Sequence, residues 1–203
     1  SFDVLEDGYG INLRPLSMFA ASAYRDDPCT RFKPHILDQN IYDVVDPGLV
    51  AKMHKAITVI QFKVEGQIIK RHPEYGLNHR CLLEHVDFDK GTVEVDGKTY
   101  PMLDMKFPTI DPKDPLKLTE QEAELLQTLK MSFRHSGLLH KHIKFLYSHG
   151  SMYKCCNNNL LYHGCIPLKK DGSFDDIVFY GIPYSGKALM DFVDQMVQSA
   201  YFL

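Results

Sequence analysis

The chain has 203 residues, 44% hydrophobic and 24% charged, with a formal net charge of -3. That balance is globular rather than disordered, and the length is sufficient to bury a core. It excludes the basic footprint of a nucleic-acid surface, and no Lys/Arg-rich run occurs. No apolar stretch approaches the roughly 18 residues of a membrane span, so no membrane partner is expected. Five cysteines, with Cys155 and Cys156 adjacent, make a poor disulfide framework and suit a reducing compartment; a cytoplasmic location is expected. The chain starts at Ser1 without Met and stops at Leu203 inside an apolar helical pattern, so an interior piece of a longer polypeptide is the expectation.

In chain order, residues 14–24 form a short helix with Pro15 in its first turn, where a missing N–H costs little. Residues 26–34 are loop, and 38–47 are polar and irregular. A long helix spans about 47–65, with Leu49, Val50, Met53, Ile57, Ile60 and Val64 at helical spacing and Gly66 marking its end. Residues 86–100 alternate apolar and polar around two Gly-containing turns, a small β-meander in which Asp96-Gly97 is a tight-turn pair. Pro101, Pro108, Pro112 and Pro115 make 101–115 a linker without regular structure.

Thr119-Glu120-Gln121-Glu122 has the capping-box spacing and opens a helix through Leu125, Leu126, Leu129 and Phe133. After a break at Ser136-Gly137, a second helix of a helical hairpin runs to Gly150. Strands over 152–156 and 160–163 follow, joined by Asn157-Asn158-Asn159, and a last helix starts near Gly186. The order predicts an α+β fold.

Ten histidines invite a metal reading, and one has a supporting context. His135, His140, His142 and His149 lie on or beside the hairpin; His135 and His142 are seven apart, with no carboxylate at i+4 to complete a site. They read as a solvated helix face. His72 and His79 sit among Lys70, Arg71 and Arg80, where surface charge is the plainer reading and a phosphate contact the sharper one. His163 differs: Leu160-Leu161-Tyr162 delivers it onto Gly164, and a strand end before glycine fixes a ring while leaving the backbone approachable. No Cys-x-x-Cys pair supports structural zinc, Cys165 is not placed as a nucleophile, and Gly-rich phosphate loops are absent. Two bridged metal ions need several Asp, His and Asn ligands, and this chain offers one good one.

Ser132-Phe133-Arg134-His135-Ser136, Leu139 to Tyr153, and Asn159 to Pro167 together resemble the class III fructose-1,6-bisphosphatases, bacterial relatives of the calcineurin-like metallophosphoesterases. Glu6 to Leu16 and Gly66 to Glu74 resemble that family too, so the likeness covers essentially the whole chain. The family's Asp-x-His, Gly-Asp-x-x-Asp-Arg-Gly, Gly-Asn-His and Gly-His motifs are not present. The one metal ligand the resemblance carries over is His163. It implies hydrolysis of the 1-phosphate of fructose 1,6-bisphosphate in gluconeogenesis, with two manganese ions held mostly by residues outside this chain. It further implies a mostly helical insertion with a small antiparallel meander at 1–150, joined at 151–203 to part of an α/β metallophosphoesterase sandwich. Lys70 and Arg71 are conceivable sugar-phosphate contacts that nothing in their spacing singles out.

The expectation is therefore a segment of a fructose-1,6-bisphosphatase that is inactive by itself. The competing reading is a non-catalytic module for oligomerisation, including a homo-oligomer, or for effector binding.

Overall fold

The computed structural model describes residues 2–34 and 46–202, in two compact units, Ser1–Ser136 and Gly137–Leu203. The expected irregularity at 38–45 lies outside the described residues. The expected α+β class holds, with helices dominating and only short antiparallel strand sets.

The first unit starts with a single π-helical turn, Val4–Gly8, that the sequence reading did not anticipate. Helix α1, Arg14–Ala23, has Pro15 in its first turn as expected. A short 3-10 turn, Thr30–Phe32, interrupts the expected loop. Helix α2, Pro47–Arg71, is capped by Asp46, whose carboxylate accepts from the Gly48 N–H at 2.8 Å. Three 3-10 turns lead to the meander of β1 (Val86–Asp87), β2 (Thr92–Val95) and β3 (Lys98–Pro101). Val93 lies opposite Val86 on one side and Tyr100 on the other. Asp96 (φ 50°) and Gly97 (φ 72°) make the two-residue turn read from the sequence. Helix α3, Glu120–His135, closes the unit behind the predicted capping box. The Thr119 hydroxyl accepts from the Glu122 N–H at 3.2 Å, and the Thr119 N–H donates to Glu122 Oε2 at 2.8 Å.

The core gathers Ile11, Leu13, Leu16 and Ala20 with Ala51, Met53, Ala56 and Ile60 of α2 and Leu125 and Leu129 of α3. Gly66 does not end α2. The helix continues five residues further, and Gly66 is where Leu116 packs against its backbone. A Cβ at Gly66 would meet Leu116 Cδ2 at 2.5 Å, and Leu116 is held because its carbonyl accepts from Gln67 Nε2 at 2.7 Å. Gly66→Ala gains about 1 kcal/mol of helix propensity but forces a buried leucine aside, at roughly 1–3 kcal/mol. A net loss of about 1 kcal/mol in denaturant unfolding is expected; a variant more stable than wild type would show that Leu116 moves freely.

Pro101 closes β3 and so does not belong to the predicted linker. Residues 102–115 have no helix or named strand, yet they are a strap and not a passive linker. Asp104 accepts from Lys55 Nζ at 2.7 Å, and the Thr109 carbonyl accepts from Lys63 Nζ at 2.6 Å. Prolines remove N–H donors here but leave carbonyls and carboxylates to receive the polar face of α2.

In the second unit, α4 (Gly137–His149) precedes two hairpins and α5 (Gly186–Phe202). β4 (Tyr153–Cys156) pairs with β5 (Asn159–Tyr162) across Asn157 (φ 51°) and Asn158 (φ 59°), so the turn has two residues and Asn159 belongs to the strand. The second hairpin, β6 (Ile177–Phe179) with β7 (Ile182–Tyr184), was not anticipated; Tyr180 (φ 52°) and Gly181 (φ 81°) form its turn. Phe192 of α5 packs on Tyr184 and Phe179, with ring centroids 4.2 and 5.1 Å apart. Of the two helices expected as a hairpin, α3 packs with α1 in the first unit and α4 with α5 in the second.

Candidate functional site

His163 follows β5 directly. Tyr162, its last strand residue, is paired with Tyr153, so the strand fixes the backbone up to the histidine. Gly164 then turns the chain at φ 89° with no neighbour within 4 Å of where a Cβ would stand. The strand ends one residue earlier than predicted because ladder pairing stops at Tyr162, and His163 is an exposed bend residue. Leu160, Leu161 and Tyr162 are themselves 48%, 55% and 48% exposed, so both faces of the ribbon are open. An accessible imidazole on a fixed strand end suits a metal ligand.

One donor is not a centre. Among the described residues no group of three or more His, Cys, Asp or Glu is placed to hold a metal ion. The residues present therefore do not by themselves form a two-metal site. Three other histidines make local contacts. His149 Nδ1 lies 3.2 Å from the Phe145 carbonyl, with its ring stacked on Phe145. His140 Nδ1 lies 3.3 Å from the Tyr201 hydroxyl. His135 ends α3 and His142 lies within α4, so they share no helix face. His72 pairs with Glu74 at 2.9 Å and stacks on Tyr75. Lys70 is engaged by Glu84 at 2.6 Å, and the hydrogen bond it donates to that carboxylate raises its pKa. All five cysteines are free thiols; burial pushes Cys29 up to about 11 and also raises Cys81, which makes both poor nucleophiles.

The sequence reading missed the charged groups of highest burial. Lys55 Nζ, fully buried, reaches Asp27 at 2.5 Å and Asp104 at 2.7 Å. It also faces the rings of Tyr24, Phe32 and Phe107. Lys63 Nζ meets Glu122 at 2.7 Å with both side chains fully buried. The available signal was their eight-residue spacing on the face of α2 that carries Ala51 and Val59. Helical lysines ordinarily read as solvated, so the pattern alone did not separate them.

Burial pushes the Asp27 carboxyl up, but the hydrogen bonds from Lys55 and from the Cys29 N–H outweigh it and hold Asp27 below the ordinary carboxylate value. A depressed folded value adds stability that is present above the unfolded pKa and lost as pH falls through the folded one. Urea unfolding at a series of pH values should show stability declining below about pH 4. Asp27→Asn should make that decline shallower, and an unchanged slope would remove Asp27 from the account.

The model of the family described as Firmicute fructose-1,6-bisphosphatase matches residues 1–203. The "Fructose-1,6-bisphosphatase class 3" of Clostridium novyi (strain NT) is 48% identical over 202 residues, 100% of this chain and 30% of that protein. The protein of the same name from Alkaliphilus metalliredigens (strain QYMF) is 51% identical over 204 residues, 100% of this chain and 31% of its own length. That from Clostridium tetani (strain Massachusetts / E88) is 51% identical over 202 residues, again with 30% of its length covered. The chain thus spans less than a third of the relatives it matches. No solved structure matches it. The likeness runs through the π-turn, α2 with its strap, and the β5–His163 turn alike, so the chain belongs to the Firmicute fructose-1,6-bisphosphatase family.

Proposed function

We propose that this chain is a segment of an enzyme that hydrolyses the 1-phosphate of fructose 1,6-bisphosphate in cytoplasmic carbohydrate metabolism. The observation that carries the reading is likeness over the whole of this chain, at about half identity, to proteins named for that activity. No described helix is long and apolar enough to cross a membrane.

Within the parent, residues 1–150 are read as an insertion and 151–203 as a return to a metallophosphoesterase sandwich. The open apolar faces of the β4–β5 ribbon support this, because an isolated two-stranded ribbon is marginal and gains stability when further strands or layers cover it. His163 is the residue this chain contributes to a manganese pair, through a neutral imidazole nitrogen held by the end of β5. Such ions, when bound, supply Lewis-acid polarisation of the phosphoryl group. This chain's own part is to present the ring in one orientation and keep it accessible.

The test is phosphate release from fructose 1,6-bisphosphate by the parent-length protein with and without manganese and chelator. Chelator-sensitive turnover is expected, together with none from the isolated 203-residue chain. Turnover by the isolated chain would overturn the division of ligands described above.

A further inference from the structure

Within the second unit, the β4–β5 ribbon meets α5 at Tyr153. The Tyr153 hydroxyl donates to Asp191 Oδ1 at 2.9 Å across 38 residues of chain, and Lys187, four residues before Asp191, donates to the other carboxylate oxygen. The Lys187 ammonium also stands 5.6 Å from the centre of the Tyr153 ring, so the phenol is held by its face and by its oxygen. Hydrogen bonds from Lys187 and then from Tyr153 hold the Asp191 carboxyl below the usual carboxylate range. Asp191 is thus an ionised acceptor, and the bonds to it are charge-assisted. Helix α5 is itself fixed. Phe192 packs on the second hairpin, and the Tyr201 ring stacks on Tyr147 of α4 with centroids 4.4 Å apart.

On the ribbon, Tyr153 lies directly opposite Tyr162, and His163 is the next residue. The hold of Asp191 therefore ends one Cα step, about 3.8 Å, short of the histidine. On the other side Gly164 turns away at φ 89°, with no neighbour within 4 Å of where a Cβ would stand. Among the described residues, then, His163 is steadied from its strand side. We propose that Asp191, acting through the Tyr153 hydroxyl, is a positioning residue for His163; the inference rests on the reading of His163 as a metal ligand. An exposed ion pair such as Lys187–Asp191 adds little to stability. Its value here is geometric. It fixes how the ribbon sits on α5, and a displacement of about 1 Å at a reacting centre can cost about 100-fold in rate.

Tyr153→Phe keeps the ring and removes only the hydroxyl. In the metal-free parent-length protein, the Tyr162 and His163 amides should exchange about 10-fold faster in this variant, with the α5 amides unchanged. The half-saturating manganese concentration for turnover of fructose 1,6-bisphosphate should rise about 10-fold, within the roughly 10–100-fold that supporting partners of a metal ligand carry. Asp191→Ala should do the same, and the double variant should be no worse than either single one, because both break one interaction. A fold defect would lower the active fraction and leave the half-saturating concentration where it was. That result, or unchanged exchange at Tyr162 and His163, overturns the inference. His163→Ala is measured alongside. Lost turnover there, with an unchanged manganese requirement in Tyr153→Phe, sinks the positioning role and leaves the ligand reading standing. Retained turnover in His163→Ala sinks the ligand reading, and the inference with it.

Discussion

Replacing Lys63 by Met is expected to destabilise the first unit by about 3–5 kcal/mol, the usual effect of removing one partner from a buried ion pair. Both side chains of the Lys63–Glu122 pair are fully buried at 2.7 Å, so the variant leaves a carboxylate facing a methyl group. It also strips the Thr109 carbonyl of the hydrogen bond that ties the strap to α2. A stable domain has a margin of only about 5–15 kcal/mol, so the effect is a large fraction of the whole. Glu122→Gln added to Lys63→Met should recover much of the loss. A neutral amide needs no counter-ion, and its oxygen can still accept from the Thr119 N–H that caps α3. Hydrogen exchange of the α2 amides in the parent-length protein reads both effects as opening free energies. A Lys63→Met loss below about 1 kcal/mol would mean that solvent reaches Glu122, contrary to its burial.

His163→Ala in the parent-length protein should lower turnover of fructose 1,6-bisphosphate by about 100-fold or more. Even residues that merely orient a metal ligand cost about 10–100-fold when removed. Bound metal should fall toward one ion per chain. The experiment separates cleanly from folding because His163 is exposed, and substitutions at such positions usually change stability by less than about 0.5 kcal/mol. Cys165→Ser, two residues on and also exposed, serves as the control with unchanged turnover. Retained turnover and metal content in His163→Ala would reduce His163 to a turn residue and leave the chain with no ligand in the proposed centre.

The elements that were legible in the sequence are those whose determinants lie within a few residues of each other. Thr119 and Glu122 cap α3 three residues apart, Pro15 opens α1, and Asp96-Gly97 turns the meander. The strand before His163 was legible for the same reason, although its last paired residue was not. Gly66 misled because a glycine near the end of an apolar run commonly stops a helix. Here its missing side chain admits Leu116, fifty residues away in sequence. The β6–β7 hairpin escaped because Tyr180 carries a positive φ that a tyrosine gives no sign of adopting.

What the sequence by itself determined is the α+β class, the local caps and turns, the resemblance to the bisphosphatase family, and His163 as the candidate ligand. Only the tertiary structure decided that Lys55 and Lys63 are interior, that the proline-rich stretch straps α2, and that α3 belongs to the first unit and α4 to the second. The Lys55 and Lys63 ion pairs span 28, 49 and 59 residues of chain. A lysine's burial depends on whether a carboxylate meets it inside, and that partner is set by the packing of distant segments and not by the lysine's neighbours in sequence.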